Sequence, residues 1–282
     1  MRQLVVLLAL PLLAGCTSTI LAEPALHVSP YLAIYELRGK AGRQSGGVNA
    51  GDALSDKPPQ KMRTFGQDRF DEDVGVRVDL GDGFAGLRAD YYKLDMNTSR
   101  NGVLDSDWGR LLENDEVRIR ADMDELRIGW LEPFTDLRTE YRDAPLRVQL
   151  AAGGVFAYRQ MNLRGRTDDG MRTQNVVIQG DVLYAAVRAR VGWRDVELDV
   201  DYAISPEVVL SGDYDGVLQD VEARLSYRLP QRDIRLFAGF RYSELPSQGT
   251  ANGFRYDADL VLVVGAPIEV PVGPSPLGRK YR

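Results

Sequence analysis

In the stretch VELDVDYAI, residues 196–204, Glu197, Asp199 and Asp201 alternate with Val196, Leu198, Val200 and Tyr202. Carboxylates held together can carry general acid–base chemistry when their surroundings drive their proton affinities apart. On one face of a strand they also repel one another unless cations face them. The preceding VRARVGWRD supplies those cations, because Arg188 and Arg190 share one parity. With Trp193-Arg194 as the turn, Arg190 opposes Glu197 and Arg188 opposes Asp199. With Arg194-Asp195 as the turn, Arg190 meets Asp199 and Arg188 meets Asp201. Either register sets opposite charges across the ladder, worth about 0.2–1 kcal/mol per exposed pair and more when confined. The carboxylates therefore read as half of a charge ladder, and no catalytic residue is expected among them.

Other residues with chemical potential are few. His27 is the single histidine and Cys16 the single cysteine, so a His-dependent metal site, a cysteine-based one and an intramolecular disulfide are all excluded by count. Calcium could be held by acidic loops such as SGDYDG (211–216) or LDSDW (104–108), but ordinary turn chemistry accounts for both. GDGF (81–84) and the scattered glycines make turns, and no phosphate-cradling loop leads into a helix. Neither a metal nor a cofactor is expected. The net charge of −6 gives no footing for a nucleic-acid partner.

The ladder recurs along the chain. Arg77 and Asp79 lie near Arg88 and Asp90; Glu222 lies near Arg241, and Asp257 and Asp259 lie beside Arg255. Arg224, Arg228 and Arg235 sit on the same polar parity of their segments. Of 35 basic residues, 30 are arginine, which fits either base composition of the genome or bidentate pairing with carboxylates in confined places.

Period-two alternation positions these residues. In DIRLFAGFRY (233–242), Ile234, Leu236, Ala238, Phe240 and Tyr242 take one face. Ten strands are expected, near 28–38, 70–81, 85–96, 114–130, 145–162, 173–193, 195–206, 215–229, 232–245 and 253–266. The fourth changes parity near Met123-Asp124, which suggests a bulge. The sixth is long enough to project beyond a membrane or to be two strands. Tight connections (81–84, 193–195, 230–232) alternate with long polar ones, and 131–144 reads as a medium connector. His27 falls just before the first strand.

The first residues, MRQLVVLLALPLLAGC, form a charged n-region and a short apolar run, the pattern of a secretory signal. LAGC resembles the lipobox of bacterial lipoproteins, which implies lipidation of Cys16, and Thr17 after it fits sorting to the outer membrane. Cleavage near Ala22 with loss of Cys16 is the alternative. An even number of strands, short turns at one rim and long loops at the other resemble bacterial outer-membrane β-barrels as a class. The tail PIEVPVGPSPLGRKYR departs from the terminal aromatic common to that class. Barrel enzymes of that membrane resemble one another in a histidine near the loop end or lipid face, a place His27 does not occupy.

The fold class expected is all-β: an antiparallel up-and-down β-barrel of about ten strands with a charged lumen and an apolar outer face. Residues 1–15 are a signal, 16–27 a tether, 28–266 the barrel and 267–282 a tail. The function expected is a lipid-anchored outer-membrane barrel, a non-enzymatic scaffold or narrow solute channel. Its partners would be outer-membrane lipid and a small solute or an envelope protein. Alternation does not orient the faces, so a soluble, lipid-anchored periplasmic barrel holding a hydrophobic ligand is the alternative.

Overall fold

The computed structural model describes residues 25–41, 60–66, 71–81, 83–97, 100–105, 107–205, 209–212, 217–229, 235–245, 255–265 and 268–271. Cys16 and the signal lie outside them. Strands fill nearly all of this: β1 (Ala25–Ala41), β2 (Gln60–Lys61), β3 (Asp71–Gly81), β4 (Gly86–Asn97), β5 (Gly102–Val103), β6 (Glu116–Tyr141) and β7 (Ala144–Thr167). They continue as β8 (Thr173–Trp193), β9 (Val196–Ser205), β10 (Val209–Gly212), β11 (Leu218–Arg228), β12 (Arg235–Leu245), β13 (Arg255–Gly265) and β14 (Ile268–Pro271). One 3-10 turn, Met62–Phe65, interrupts them.

The sheet is antiparallel and follows chain order. From β8 it runs through β7, β6, β4, β3, β1, β13, β12 and β11 to β9, and β8 also pairs β9, so the path curls back on itself. Such an arrangement leaves the long strands without a free lateral edge over most of their length, the usual solution to the exposed-edge problem. The short strands pair at the margins: β14 with Ala25–Val28 of β1, β2 with the end of β1, β5 with β6 and β10 with β8.

Three local expectations change, and the two readings of the sixth strand reduce to one. Residues 131–144 are not a connector, because β6 and β7 continue as one hairpin to a two-residue turn at Arg142-Asp143. Both turn residues have positive φ, 51° and 58°, which matches the twist of a tight hairpin. Second, no bulge occurs at Met123-Asp124. The pairing runs unbroken there, and the register shifts at Pro133/Thr135 instead. Third, β1 begins at Ala25, so His27 lies within it, in register with Asp79 and Glu269. The sixth expected strand, β8, is a single one, paired along its whole length with β7 but with β9 only from Ala185.

The enclosed space has two chemically distinct levels. Toward the long loops, Phe65, Leu94, Leu104, Trp108, Leu111, Val117, Ile119 and Leu163 are buried together. Phe65 and Trp108 meet edge to face at 5.0 Å. A Cβ at Gly165 would come within 2.6 Å of the Trp108 ring, so the indole packs over bare backbone. Toward the short turns the buried side chains are mostly charged. The outer surface inverts in step. Arg118, Arg120, Arg164 and Arg166 are exposed at the apolar level, whereas Val76, Leu126, Ile128, Val187, Leu198, Val200, Leu225 and Phe240 are exposed at the charged level.

Candidate functional site

The charged level is built by strands whose inward parity alternates Arg with Asp or Glu. On β6 the buried face reads Val117, Ile119, Ala121, Met123, then Glu125 and Arg127, all on one parity. Glu125 is fully buried. It accepts from Arg159 Nε, from Arg241 Nη2 at 2.7 Å and from the Tyr92 hydroxyl at 2.9 Å. Asp220 accepts from Arg127 Nη1 at 2.9 Å and from Arg241 Nε and Nη2, each at 3.1 Å. Ser243 adds its hydroxyl. Three guanidiniums thus gather round two carboxylates, and aromatic faces take up the remaining positive field: Arg241 over Tyr92 at 5.0 Å, Arg127 and Arg159 over Tyr184 at 5.5 and 5.8 Å.

A second group adjoins it. Arg77 binds Glu222 through both Nη atoms at 2.8 and 2.7 Å and Asp90 at 2.8 Å. The Tyr31 hydroxyl donates to Asp90 at 2.8 Å. Tyr31 reaches it by lying flat across Gly75, where any Cβ would fall within 2.5 Å of its ring. Nearer the short turns, Asp79 holds Arg88, which reaches Asp201 at 3.1 Å; Arg188 also binds Asp201. Arg190 grips Asp199 in two bonds of 2.6 and 3.1 Å, and Arg224 reaches the same carboxylate at 2.9 Å.

Several of these contacts join strands that are not neighbours in the sheet. Arg77 of β3 binds Glu222 of β11, Arg241 of β12 binds Glu125 of β6, and Arg88 of β4 binds Asp201 of β9. Only side chains projecting into the space enclosed by the sheet can meet in this way. The cavity left among them is about 60 Å³, lined by Arg77, Arg88, Arg127, Arg188, Asp220 and Glu222 with small apolar neighbours. That is room for a few waters.

The residues singled out from sequence distribute as follows. Arg188 faces Asp201 and Arg190 faces Asp199, so the turn is Arg194-Asp195 and the second of the two registers holds. Glu197 lies 3.8 Å from Arg190 at the edge of the group. Glu222 stands in register with Arg241, yet binds Arg77 instead. Arg228 is exposed at the rim, in register with Arg235 and away from the network. Arg255, Asp257 and Asp259 are in β13, where the register slips at Asp259, so Asp257 falls opposite Glu244 and not on the Arg241 parity. The side chains of Arg235, Arg255, Asp257 and Asp259 lie outside what is described.

Sequence reasoning passed over Glu125, Arg127 and Arg159, the centre of the network. Their signal was present: unbroken alternation through Met123 into Glu125 keeps one face, and only its chemistry changes. Of the two acidic loops, Asp213 and Asp215 of 211–216 lie outside the described residues, while in 104–108 Asp105 accepts from the Thr64 hydroxyl at 3.3 Å. Asp107 accepts the Glu113 amide at 2.8 Å and Asp115 the Leu112 amide at 2.7 Å. Among the described residues, no three His, Cys, Asp or Glu side chains gather as a metal site would require.

No family model matches the chain, and no curated protein does. Among solved structures, similarity is found to the outer membrane channel DcaP of Acinetobacter baumannii, at 9% identity over 87% of this chain and 96% of that one, with a TM-score of 0.27. It is found also to the outer-membrane expressed OmpT of Vibrio cholerae, at 10% identity over 87% and 97%, with a TM-score of 0.24. A Pseudomonas aeruginosa FadL homologue aligns at 10% identity over 88% and 90%, with a TM-score of 0.28.

Proposed function

We propose that the chain is a ten-stranded outer-membrane β-barrel, anchored through Cys16, whose interior is sealed by its own ion pairs and which acts as a non-enzymatic scaffold through its rims. The observation that carries this reading is the polarity at the charged level. There Arg77, Arg159, Glu125 and Asp220 are buried while Val187, Leu198, Val200, Leu225 and Phe240 are exposed, the reverse of a water-soluble β-barrel. Lipid accounts for the exposed apolar band. An arginine turned toward the bilayer midplane would cost about 2–4 kcal/mol, so the charges belong inside. Beyond the band the polarity reverts, as it must where the wall stands in water: Arg118, Arg120, Arg164 and Arg166 outside, Trp108 and Leu111 inside.

Two levels of filling argue for a sealed interior: the Arg–carboxylate network and the apolar plug above it. A ten-stranded ring is only slightly wider than an eight-stranded one, whose interior side chains fill. The competing soluble reading needs a roomy apolar interior for its ligand, and the described cavity inside the network is small and charged. The test uses protein whose residues 1–22 are replaced by a cleavable signal, so that no lipid holds it. Retention in the outer membrane after alkaline carbonate, with a mobility shift on boiling, is expected. Release as a soluble fold would overturn the reading.

A further inference from the structure

At the rim of short turns, a cleft of about 320 Å³ opens between the β6–β7 hairpin and the β8–β9 hairpin. Its size is at the lower end of ligand pockets, which run from about 300 to 1,000 Å³. Arg138, Arg147, Arg190 and Arg194 line it, against one carboxylate, Glu197. Two neighbouring acids are shared, Asp136 between Arg138 and Arg147 and Asp199 between Arg190 and Arg224, while Glu140, Asp143 and Asp195 of the two hairpins do not line the cleft. Arg194 stacks on the Trp193 ring at 4.8 Å, which holds its guanidinium in place without neutralising it. Guanidiniums in excess of carboxylates, in a concave site, select an anion.

A second observation narrows the ligand. Gln149 lines the same cleft, is only 2% exposed, and its Oε1 has no hydrogen-bond partner. A buried acceptor left unmade costs free energy, so the occupant should bring a donor to it. A fully ionised phosphate ester offers none beside its charge. The carboxylate end of a peptide does, since the amide N–H of its last residue lies two bonds from the carboxylate carbon.

We propose that this cleft binds the free carboxylate end of a short peptide, the carboxylate held by Arg147 and Arg194 and the adjacent amide N–H donating to Gln149. Nothing in this depends on whether the outer face meets lipid, so its failure and that of the membrane reading are separable.

The test is titration calorimetry of the purified full-length chain in detergent with N-acetyl-dialanine as the free acid, the same peptide as its C-terminal amide, and inorganic phosphate. Binding of the free acid and not of the amide is expected. Arg147→Gln with Arg194→Gln should weaken that binding about tenfold or more. Gln149→Leu should weaken binding of the peptide, and Gln149→Glu, which keeps the volume and adds a charge, should abolish it; circular dichroism checks that each variant folds. Equal binding of acid and amide, binding of phosphate alone, no binding of any probe, or indifference to both Gln149 variants would each overturn the assignment.

Discussion

Glu125 illustrates what confinement does to an ion pair. Arg159, Arg241 and the Tyr92 hydroxyl donate to a carboxylate with no exposed surface, and Arg127 lies 3.4 Å from it. Glu125→Gln keeps the shape and removes the charge, leaving Arg159 and Arg241 undercompensated in a buried site with room for only a few waters. Such a change costs about 3–5 kcal/mol, read as the shift in urea unfolding of the protein in detergent. The exposed pairs of Arg120 with Asp95 and Asp122 set the contrast: Arg120→Gln should leave the unfolding midpoint nearly unchanged. A Glu125→Gln loss equally small would mean that water reaches the cluster. Asp136, on the hairpin beyond the band, gives a residue-scale prediction in pH. Hydrogen bonds from Arg147 first, then Arg138, hold its carboxyl below the usual carboxylate range. With the folded value depressed, its contribution to holding the hairpin is complete above the ordinary value of about 3.9 and is lost as pH falls through the folded value. The carbon-13 carboxyl signal of Asp136 should therefore titrate below ordinary aspartate in the native chain and move up toward it in Arg147→Gln. An unchanged midpoint would sink the claim.

At the scale of the strand, parity fixes cost. On β11, Leu225 points outward and Arg224 and Ser226 inward. Leu225→Arg should cost about 2–4 kcal/mol in lipid vesicles if the position lies near the bilayer centre. On β7, Asn162→Arg, next to the exposed Arg164 and Arg166, should be nearly neutral in the same refolding equilibrium. Comparable losses at both sites would contradict a band limited to one level. This parity was legible wherever a strand keeps one chemistry per face, as in the β8–β9 hairpin, where Arg188 and Arg190 meet Asp201 and Asp199. It was misread where a face changes chemistry along its length. Val117 to Met123 and then Glu125 and Arg127 share a wall of β6, and the switch from apolar to charged imitates a slip in phase. The extended hairpin was missed for a different reason. Its turn, Arg142-Asp143, adopts positive φ without the Gly or Asn that normally marks one, and Pro133 ahead of it reads as a strand breaker although the register simply shifts there. The bulge at Asp259 likewise carries no glycine or proline signal, so the face given to Arg255 and Asp257 could not be followed past it.

For the whole molecule, two stacked fillings make one prediction about transport. Reconstituted into planar bilayers, the chain should show no steady open conductance, because a charged network with a 60 Å³ cavity lies beneath an apolar plug. Steady large steps would favour a channel over a scaffold. The central claim, however, concerns which face meets lipid. It is tested most directly by nitroxide labels placed one at a time on the chain lacking residues 1–22, where no native cysteine competes. In bilayers, labels at Val187, Val200 and Leu225 should be relaxed strongly by oxygen and weakly by a water-soluble nickel chelate, and a label at Arg166 should show the opposite. If the three apolar sites respond instead to the nickel chelate, the exposed apolar face is not in lipid and the account fails.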